Sequence, residues 1–281
     1  MGSEKLVVLQ TAQGAPTLGQ QMALEGSEMQ AIVEKTFVYP VKGMAGVETP
    51  SRGIHADPQL GVLGDRNFAF ARKPNHSPNK WKPKAFFFVN MNTEGTGNQI
   101  VVESEMGLDE QFRPGHKLVR SLCENNGIDT DSIIDTDGKW HQADTNKPCV
   151  SFLNLASVRE LSVFTGVEID PRRFRMNVWV EGLDPFVELD IVKGFEQGSQ
   201  YPMYAGNVKF HIDDLCERCK AIEQNPHTGL WDTNFRAALE ELLHKRGYGG
   251  SPQSGVYRVM GWYGIPQSKG IIRAGDTVTF G

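Results

Sequence analysis

The chain has 281 residues, a formal net charge of -5 and an isoelectric point of about 5.8. Its 39% hydrophobic and 22% charged residues are typical of a globular protein, and the lack of a basic excess argues against nucleic acid or an anionic membrane surface as the main partner. The longest apolar run, Ala85–Val89, is far shorter than the roughly 20 residues that cross a bilayer, and the N-terminal segment lacks the basic start and apolar core of a secretory signal. We therefore expect a cytoplasmic protein that does not enter a membrane.

The first half of the chain is predicted to be mainly β. Residues 1–30 are rich in Gly, Gln, Thr and Ala without a sustained period, and they predict a loosely packed or docked N-terminal arm. After residue 30, short runs rich in β-branched and aromatic residues are separated by Gly and Pro, which is typical of strands joined by turns. These runs are "AIVEKTFVYPV", "NFAFARK", "FFFVNMN" and "NQIVVESE".

The second half mixes helices with further strands. A helix is expected after Pro114, ending near Gly127, and "NLASVRELSVFTG" predicts a clearer helix that ends before Gly166. A last helix, "DTNFRAALEELLHKRG", has its apolar residues on one stripe and Asp232 in position to cap its start. "RRFRMNVWVEG" and "NVKFHIDDL" predict strands, and "GIIRAGDTVTFG" a turn between two more. The sum is a β-rich α+β protein with two β subdomains divided near residues 127–150.

A pair of cysteines in "LCERCKAIEQNPHTG" is the first candidate for chemistry. Cys216 and Cys219 have the spacing of half a zinc site, but Cys123 and Cys149 stand alone in the sequence and no His pair accompanies them. The other possible roles of this cysteine pair are a redox dithiol and two ordinary buried residues. Because Arg218 lies between the cysteines, and a nearby guanidinium favours the thiolate, we expect a reactive or metal-binding sulfur.

Three basic segments are candidate anion sites. If "RRFRMN" is a strand, Arg173, Arg175 and Asn177 share one face, which is either solvated or turned into an anion-binding cleft. Lys42 precedes a Gly-containing turn in "YPVKGMAG", and Arg66 begins the strand after "LGD". Each is an ordinary surface charge when taken alone, but together with a reactive thiol they predict a phosphorylated ligand held beside a sulfur. The nucleotide-loop, lipase and zinc-protease motifs are missing from the sequence.

With these residues in place, the sequence resembles the MOSC family, the molybdenum cofactor sulfurase C-terminal domain proteins, and the β-barrel domain that often precedes it. The resemblance covers residues 31–281 and follows five segments in order. They are "VYPVKGMAGVE", "LGVLGDRNFAFA", "RRFRMNVWVEGLDPFVE", "LCERCKAIEQNPHTG" and "GIIRAGDTVTF". Within the family, the sequence looks similar to the mitochondrial amidoxime-reducing component and its bacterial counterparts.

The resemblance implies an architecture and a function. It implies an α+β, mainly β fold with two β-barrel-like subdomains: residues 1–30 as an arm, 31–126 as the N-terminal barrel domain and 127–281 as the MOSC domain. It further implies an oxidoreductase that uses the molybdenum cofactor to reduce N-hydroxylated small molecules, with Cys219 as catalytic residue and metal ligand. The implied cofactor-binding residues are Lys42, Arg66, Ser151, Arg175 and Asn177. Electrons would come from a separate redox protein.

Some positions depart from the family pattern, and alternatives remain open. Gly43 stands where the family has Ser, and Ile222, Glu223 and Asn225 replace parts of a Thr-rich stretch followed by Asp-Pro. A sulfur-transfer protein that carries a persulfide on Cys219 is the first alternative. A MOSC scaffold with diverged chemistry that does not bind the cofactor, including a non-catalytic binding module, is the second.

Overall fold

The computed structural model describes residues 29–39, 46–66, 68–70, 133–135, 147–196, 202–227, 230–248 and 258–280. Several predicted features lie outside these ranges. They are the arm up to residue 28, the strands "FFFVNMN" and "NQIVVESE", the helix after Pro114, Lys42, Gly43 and Cys123.

Most of the described chain is β-strand. The strands are β1 (Met29–Val38), β2 (Val47–Glu48), β3 (Ile54–Asp57), β4 (Gly61–Val62), β5 (Phe68–Phe70), β6 (Ile133–Asp135), β7 (Val150–Asn154), β8 (Val178–Glu181), β9 (Met203–Ala205), β10 (Val208–Glu217), β11 (Val259–Pro266), β12 (Gly270–Ile272) and β13 (Thr277–Phe280). The predicted mainly β fold is confirmed.

Seven of these strands close into a barrel in the order β1, β13, β9, β10, β11, β7, β8 and back to β1. Strand β1 makes closure possible because its first residues pair with β13 and its later ones with β8, with an irregularity between Val33 and Lys35. All neighbours are antiparallel except β7 and β8. Closure removes unpaired strand edges from the barrel. Strand β2 pairs with the end of β1. A separate small sheet is formed by β12, β3 and β4, and β5 pairs with β6.

The barrel interior is apolar because inward and outward residues alternate along its strands. In β10, Val208, Phe210 and Ile212 are buried between exposed neighbours. The Phe152 ring lies edge-on to Phe210, with centroids 5.3 Å apart, and stacks on Trp262 at 5.2 Å. These side chains belong to one apolar cluster, and the outward residues of β1, β7 and β8 belong to a second one.

Three α-helices cover the described part of the barrel: α1 (Leu155–Thr165), α2 (Val187–Glu196) and α3 (Phe235–Leu243). Helix α1 confirms its prediction, since the Asn154 side chain caps its start and Gly166 ends it with a φ of 68°. Helix α3 starts after Asn234 and continues into a π turn, His244–Tyr248. Helix α2 was not predicted. None of the described helices is long and apolar enough to span a bilayer.

Two local predictions are wrong. The "RRFRMN" segment is not a strand: Pro171–Phe174 form a 3-10 helix, because Pro171 starts it and the Asp170 side chain accepts a bond from the Arg172 N–H at 2.9 Å. Arg175 ends this helix in the left-handed conformation, and β8 begins only at Val178. Asp232 does not cap α3, because the Arg173 guanidinium engages its carboxylate instead.

The domain boundaries at 31–126 and 127–281 stay a prediction. Strand β1 precedes residue 127 in sequence, yet it closes the barrel built by strands that follow residue 149. The first half of the chain thus supplies one strand, β1, of the C-terminal barrel.

Candidate functional site

The Cys-x-x-Cys segment places its two sulfurs in different environments. Strand β10 ends at Glu217, and Cys219 precedes a 3-10 helix, Lys220–Glu223. Cys216 is fully buried in the outer apolar cluster, whereas Cys219 is exposed. The accessible sulfur of the pair is therefore Cys219, the one expected to bind a ligand, and Cys216 is a core residue.

Arg218 ties the Cys219 segment to the segment that ends in Arg175. The Arg218 side chain is buried, its Nε donates to the Cys216 carbonyl at 2.9 Å, and its Nη1 donates to the Phe174 carbonyl at 2.9 Å. The same Nη1 lies 3.5 Å from the Met176 sulfur. The sequence suggested that Arg218 acts on the thiol by charge, but its guanidinium points inward and joins two chain segments.

Arg66 and Arg175 meet at one aromatic ring. The Arg66 guanidinium carbon lies 5.4 Å from the centroid of the Tyr39 ring, and that of Arg175 lies 5.1 Å from the same centroid. Arg66 Nη2 also donates to the Arg175 carbonyl at 3.4 Å. Two of the predicted anion-binding residues, far apart in sequence, are therefore adjacent in space.

Burial raises the pKa of the Tyr39 hydroxyl well above its ordinary value, although the two nearby guanidiniums act in the opposite direction. Tyr39 therefore remains a neutral phenol and does not cancel the charge of the arginines. The adjacent Asp65 carboxylate pairs with Arg66 and accepts the Tyr39 N–H at 2.7 Å. The site thus combines two guanidiniums, the group that binds phosphate and carboxylate well, with one carboxylate that offsets part of the charge of Arg66.

Both arginines have strained backbones. The φ angles of Arg66 and Arg175 are 51° and 54°, and among the described non-glycine residues only Phe186 joins them at positive φ. Such a conformation costs on the order of 1–3 kcal/mol and persists only where surrounding contacts impose it, often at ligand sites. The strain thus coincides with the residues that the sequence identified.

Ser151 and Asn177 form a buried network behind the arginines. The Ser151 hydroxyl donates to Asn177 Oδ1 at 2.7 Å and accepts the Asn177 N–H at 3.0 Å. Asn177 Nδ2 donates to the Phe37 carbonyl at 3.2 Å and to Asp65 Oδ1 at 3.0 Å. Both amide protons of Asn177 have protein partners, so these two residues hold β1, β7 and β8 together behind the site. Their direct contact with a cofactor stays a prediction.

Arg173 does not join the other two arginines. Its guanidinium makes two bonds to the Asp232 carboxylate, at 2.9 and 3.0 Å, and lies 5.1 Å from the centroid of the Phe235 ring. The 3-10 conformation of residues 171–174 sends Arg173 and Arg175 in different directions. Arg173 anchors the loop before α3, and the predicted shared face does not exist.

Tyr39 is the residue that sequence reasoning missed. It stood inside the quoted "VYPVKG" segment, but only the tertiary contact with both arginines identifies it. Within the described ranges, no three His, Cys, Asp or Glu side chains come together as a metal-binding group. What the two connected segments offer is one exposed soft sulfur and two guanidiniums, and these groups have the chemistry that a thiolate-ligated metal on a phosphorylated molecule would need.

Known proteins similar to this chain include two curated ones and a solved structure. The chain is 34% identical to the molybdenum cofactor sulfurase of Caenorhabditis elegans and 32% identical to that of Caenorhabditis briggsae, each over 96 residues. These alignments take in 34% of this chain and only 12% of each relative. The crystal structure of the YuaD protein from Bacillus subtilis aligns with 90% of this chain and 97% of its own, at 12% identity and a TM-score of 0.41.

The strongest assignment is to a domain family. Residues 137–279, about half of the chain, match the family model of the MOSC domain. They include both 3-10 helices, the Cys219 segment, Arg175, five of the seven barrel strands in full and all but the last residue of β13. The chain belongs to the MOSC domain family.

Proposed function

We propose that this protein binds the molybdenum cofactor, with the Cys219 thiolate as a ligand of the metal, and reduces N-hydroxylated small molecules. One observation carries the proposal: an exposed cysteine is joined through Arg218 to the segment that presents Arg175, which shares an aromatic ring with Arg66. The proposed metal ligand and the proposed phosphate-binding pair thus belong to one connected framework. The MOSC assignment supports the cofactor, and the family resemblance of the sequence supports the reaction.

Each residue has a role that follows from its chemistry. The Cys219 thiolate would hold the metal, since soft sulfur ligands suit sulfur-coordinated metals. Arg66 and Arg175 would hold the phosphate of the cofactor by charge-assisted hydrogen bonds. When bound, the cofactor supplies the electrons that break the N–O bond. Reduction of an N–OH group to N–H consumes two electrons and two protons and releases water, so we propose a separate redox protein as electron donor.

Metal analysis tests the first part. Protein purified from cells that make the cofactor should contain about one molybdenum per chain, and Cys219→Ser should lose it because a hydroxyl is a poor substitute for a thiolate. Cys216→Ala is the matched control: that sulfur is buried in the apolar cluster, so its loss should leave the metal in place. Molybdenum-free wild-type protein from such cells would contradict the proposal.

Activity tests the second part. Metal-loaded protein supplied with a chemical reductant should convert an amidoxime to the amidine, and Cys219→Ser should not. If the loaded wild-type protein fails on N-hydroxylated compounds while retaining molybdenum, the cofactor assignment stands and the reaction assignment falls.

A sulfur carrier is the second candidate, favoured by the similarity to proteins named molybdenum cofactor sulfurase. In this function the exposed Cys219 thiolate attacks the terminal sulfur of a donor persulfide, and the donor leaves as a thiolate. Incubation with a cysteine desulfurase and cysteine should then add the mass of one sulfur atom to the wild-type protein and none to Cys219→Ser. An unmodified wild-type thiol would exclude the sulfur-carrier function. If the protein also contains no molybdenum, a MOSC scaffold with diverged chemistry is the alternative that is left.

A further inference from the structure

We propose that Tyr39 is the positioning residue of the anion site: its ring holds the guanidinium groups of Arg66 and Arg175 in place before the ligand arrives. This inference rests on the proposed function, since it concerns how the same pair of arginines binds phosphate. It adds a residue that touches the arginines and is not itself proposed to touch the ligand.

Hydrogen bonds of its backbone fix Tyr39 relative to Arg66. The Arg66 N–H donates to the Tyr39 carbonyl at 2.6 Å, and the Tyr39 N–H donates to Asp65 Oδ1 at 2.7 Å. Tyr39 directly follows β1, so the barrel wall determines where the turn that carries Arg66 lies. The left-handed conformation of Arg66 is held by these bonds.

The Tyr39 ring is confined by its neighbours. It is 2% exposed and lies 6.4 Å from the Phe37 ring in a stacked arrangement. A Cβ added to Gly46 would lie 2.5 Å from Tyr39 Cε1, so the backbone of Gly46 passes directly against the ring. The ring is therefore a fixed surface.

The ring of Tyr39, more than its hydroxyl, contacts the arginines. Both guanidinium carbons lie within about 6 Å of the ring centroid, the range in which a cation is attracted to an aromatic face. The hydroxyl makes a long bond, 3.4 Å, to the Met176 carbonyl, next to Arg175 in sequence. Phenylalanine at position 39 should therefore preserve most of the function, and an aliphatic residue should not.

Holding the arginines matters because long side chains lose rotamer freedom when they bind a ligand. A scaffold that has already restricted them lowers this cost and raises affinity without touching the ligand. Without the ring, we expect phosphate affinity to fall about tenfold, which corresponds to about 1.4 kcal/mol. The loss should come with greater motion of the guanidinium groups.

The experiment compares Tyr39→Phe and Tyr39→Leu with the wild type. Inorganic phosphate is titrated into cofactor-free protein, and the arginine Nε–H resonances are followed by NMR. Val158→Ala is the control for stability, because Val158 lies in the same outer apolar cluster on α1 and outside the arginine contacts described above. Should Tyr39→Leu not fold, Tyr39→Met, which is flexible and fills irregular space, takes its place.

We expect Tyr39→Phe and Val158→Ala to bind phosphate within about threefold of wild type, and the aliphatic variant to bind about tenfold more weakly with more mobile Arg66 and Arg175 side chains. Equal affinity and equal mobility in the aliphatic variant would overturn the proposal, as would a loss in Tyr39→Phe as large as in Tyr39→Leu. A wild type that binds no phosphate would refute the anion site itself. The mobility of the two guanidiniums without ligand would still decide the role of Tyr39.

Discussion

Arg218→Met is the substitution that best tests how the site is held together. Arg218 bridges the carbonyls of Cys216 and Phe174 with two bonds of 2.9 Å from one buried cation. Methionine keeps much of the apolar stem and bulk but donates no hydrogen bond, so both carbonyls lose this donor. The Cys219 segment would then lose the bond to the Phe174 carbonyl and keep the longer one, 3.5 Å, from Arg173 Nη1 to the Ile222 carbonyl, so it would be held less firmly to the segment that ends in Arg175.

The size of the effect follows from two opposing contributions. A hydrogen bond from a charged donor contributes about 1.5–3 kcal/mol, so two bonds contribute about 3–6 kcal/mol. Against this, removing a buried guanidinium, 7% exposed, relieves a desolvation cost of several kcal/mol. We expect a net loss of about 1–3 kcal/mol in the free energy of unfolding.

Urea unfolding and metal analysis together measure this prediction. Arg218→Met should unfold at lower urea concentration, and its molybdenum content should fall although Cys219 is intact. The stability and the molybdenum content of Arg218→Lys should lie between those of Arg218→Met and the wild type, because lysine keeps the charge but lacks the planar guanidinium that reaches two carbonyls. Unchanged stability together with full metal content in Arg218→Met would refute the idea that this side chain joins the two halves of the site.

Three further predictions concern stability. Gly261→Ala should cost at least about 1 kcal/mol more in the free energy of unfolding than Gly166→Ala. Both glycines have positive φ, but a Cβ at position 261 would lie 2.3 Å from the Phe152 carbonyl oxygen, whereas a Cβ at position 166 would meet nothing within 4 Å. Equal losses of unfolding free energy in urea would contradict this prediction. Asp232→Asn should cost about 1–2 kcal/mol, a value reduced for the partial exposure of Asp232. Its pKa is lowered chiefly by the bond from Arg173, so this contribution is present above the unfolded pKa of about 3.8 and is lost as the pH falls through the folded value. A difference from wild type that does not shrink as the pH falls below about 3.8 would argue against it. Burial raises the pKa of the Glu188 carboxyl, so its favourable contribution is fully present below the unfolded pKa of about 4.5 and is lost as the pH rises through the folded value. Glu188→Gln should therefore gain stability relative to wild type between about pH 4 and about pH 8, and a constant difference would contradict the shift.

The parts of the fold that the sequence predicted are those encoded locally. Strand β10 and helix α1 have clear periods, and α1 has Asn154 and Gly166 at its two ends. Helix α2 had usable signals as well, with Glu188 and Asp190 in its first turn and Lys193 in its last. The same segment, "FVELDIV", also alternates like a strand, and the buried Glu188 occupies a place where an apolar residue would reveal the helical period.

The failures at the site have a different cause. The Pro171 and Asp170 signals of a helix start were present, but the alternation of Arg and Phe was interpreted as a strand. Asp232 had the position of a cap, and a residue 59 positions away in sequence engages it instead. In the same way, Arg66 and Arg175 are 109 positions apart, and their common contact with Tyr39 depends on barrel closure. Local sequence identifies residue types, and nonlocal packing decides which of them meet.

Barrel topology explains why the site has two halves. Thr36 of β1 pairs with Val178 of β8 in antiparallel register, so Tyr39 after β1 and Arg175 before β8 lie at the same end of the barrel. The half that we propose to bind the phosphate therefore depends on closure by β1. Cys219 follows β10, and Arg218 connects it to the first half through the Phe174 carbonyl.

This division has a consequence for function. A substitution at Tyr39 should weaken phosphate binding while Cys219 remains exposed and reactive, and a substitution at Cys219 should remove metal binding while the arginines still bind phosphate. Arg218 connects the two halves. Its loss should therefore weaken the binding of a ligand that contacts both halves more than the binding of a ligand that contacts only one. A cofactor with a metal at one end and a phosphate at the other is the kind of ligand whose binding would depend on such a connection.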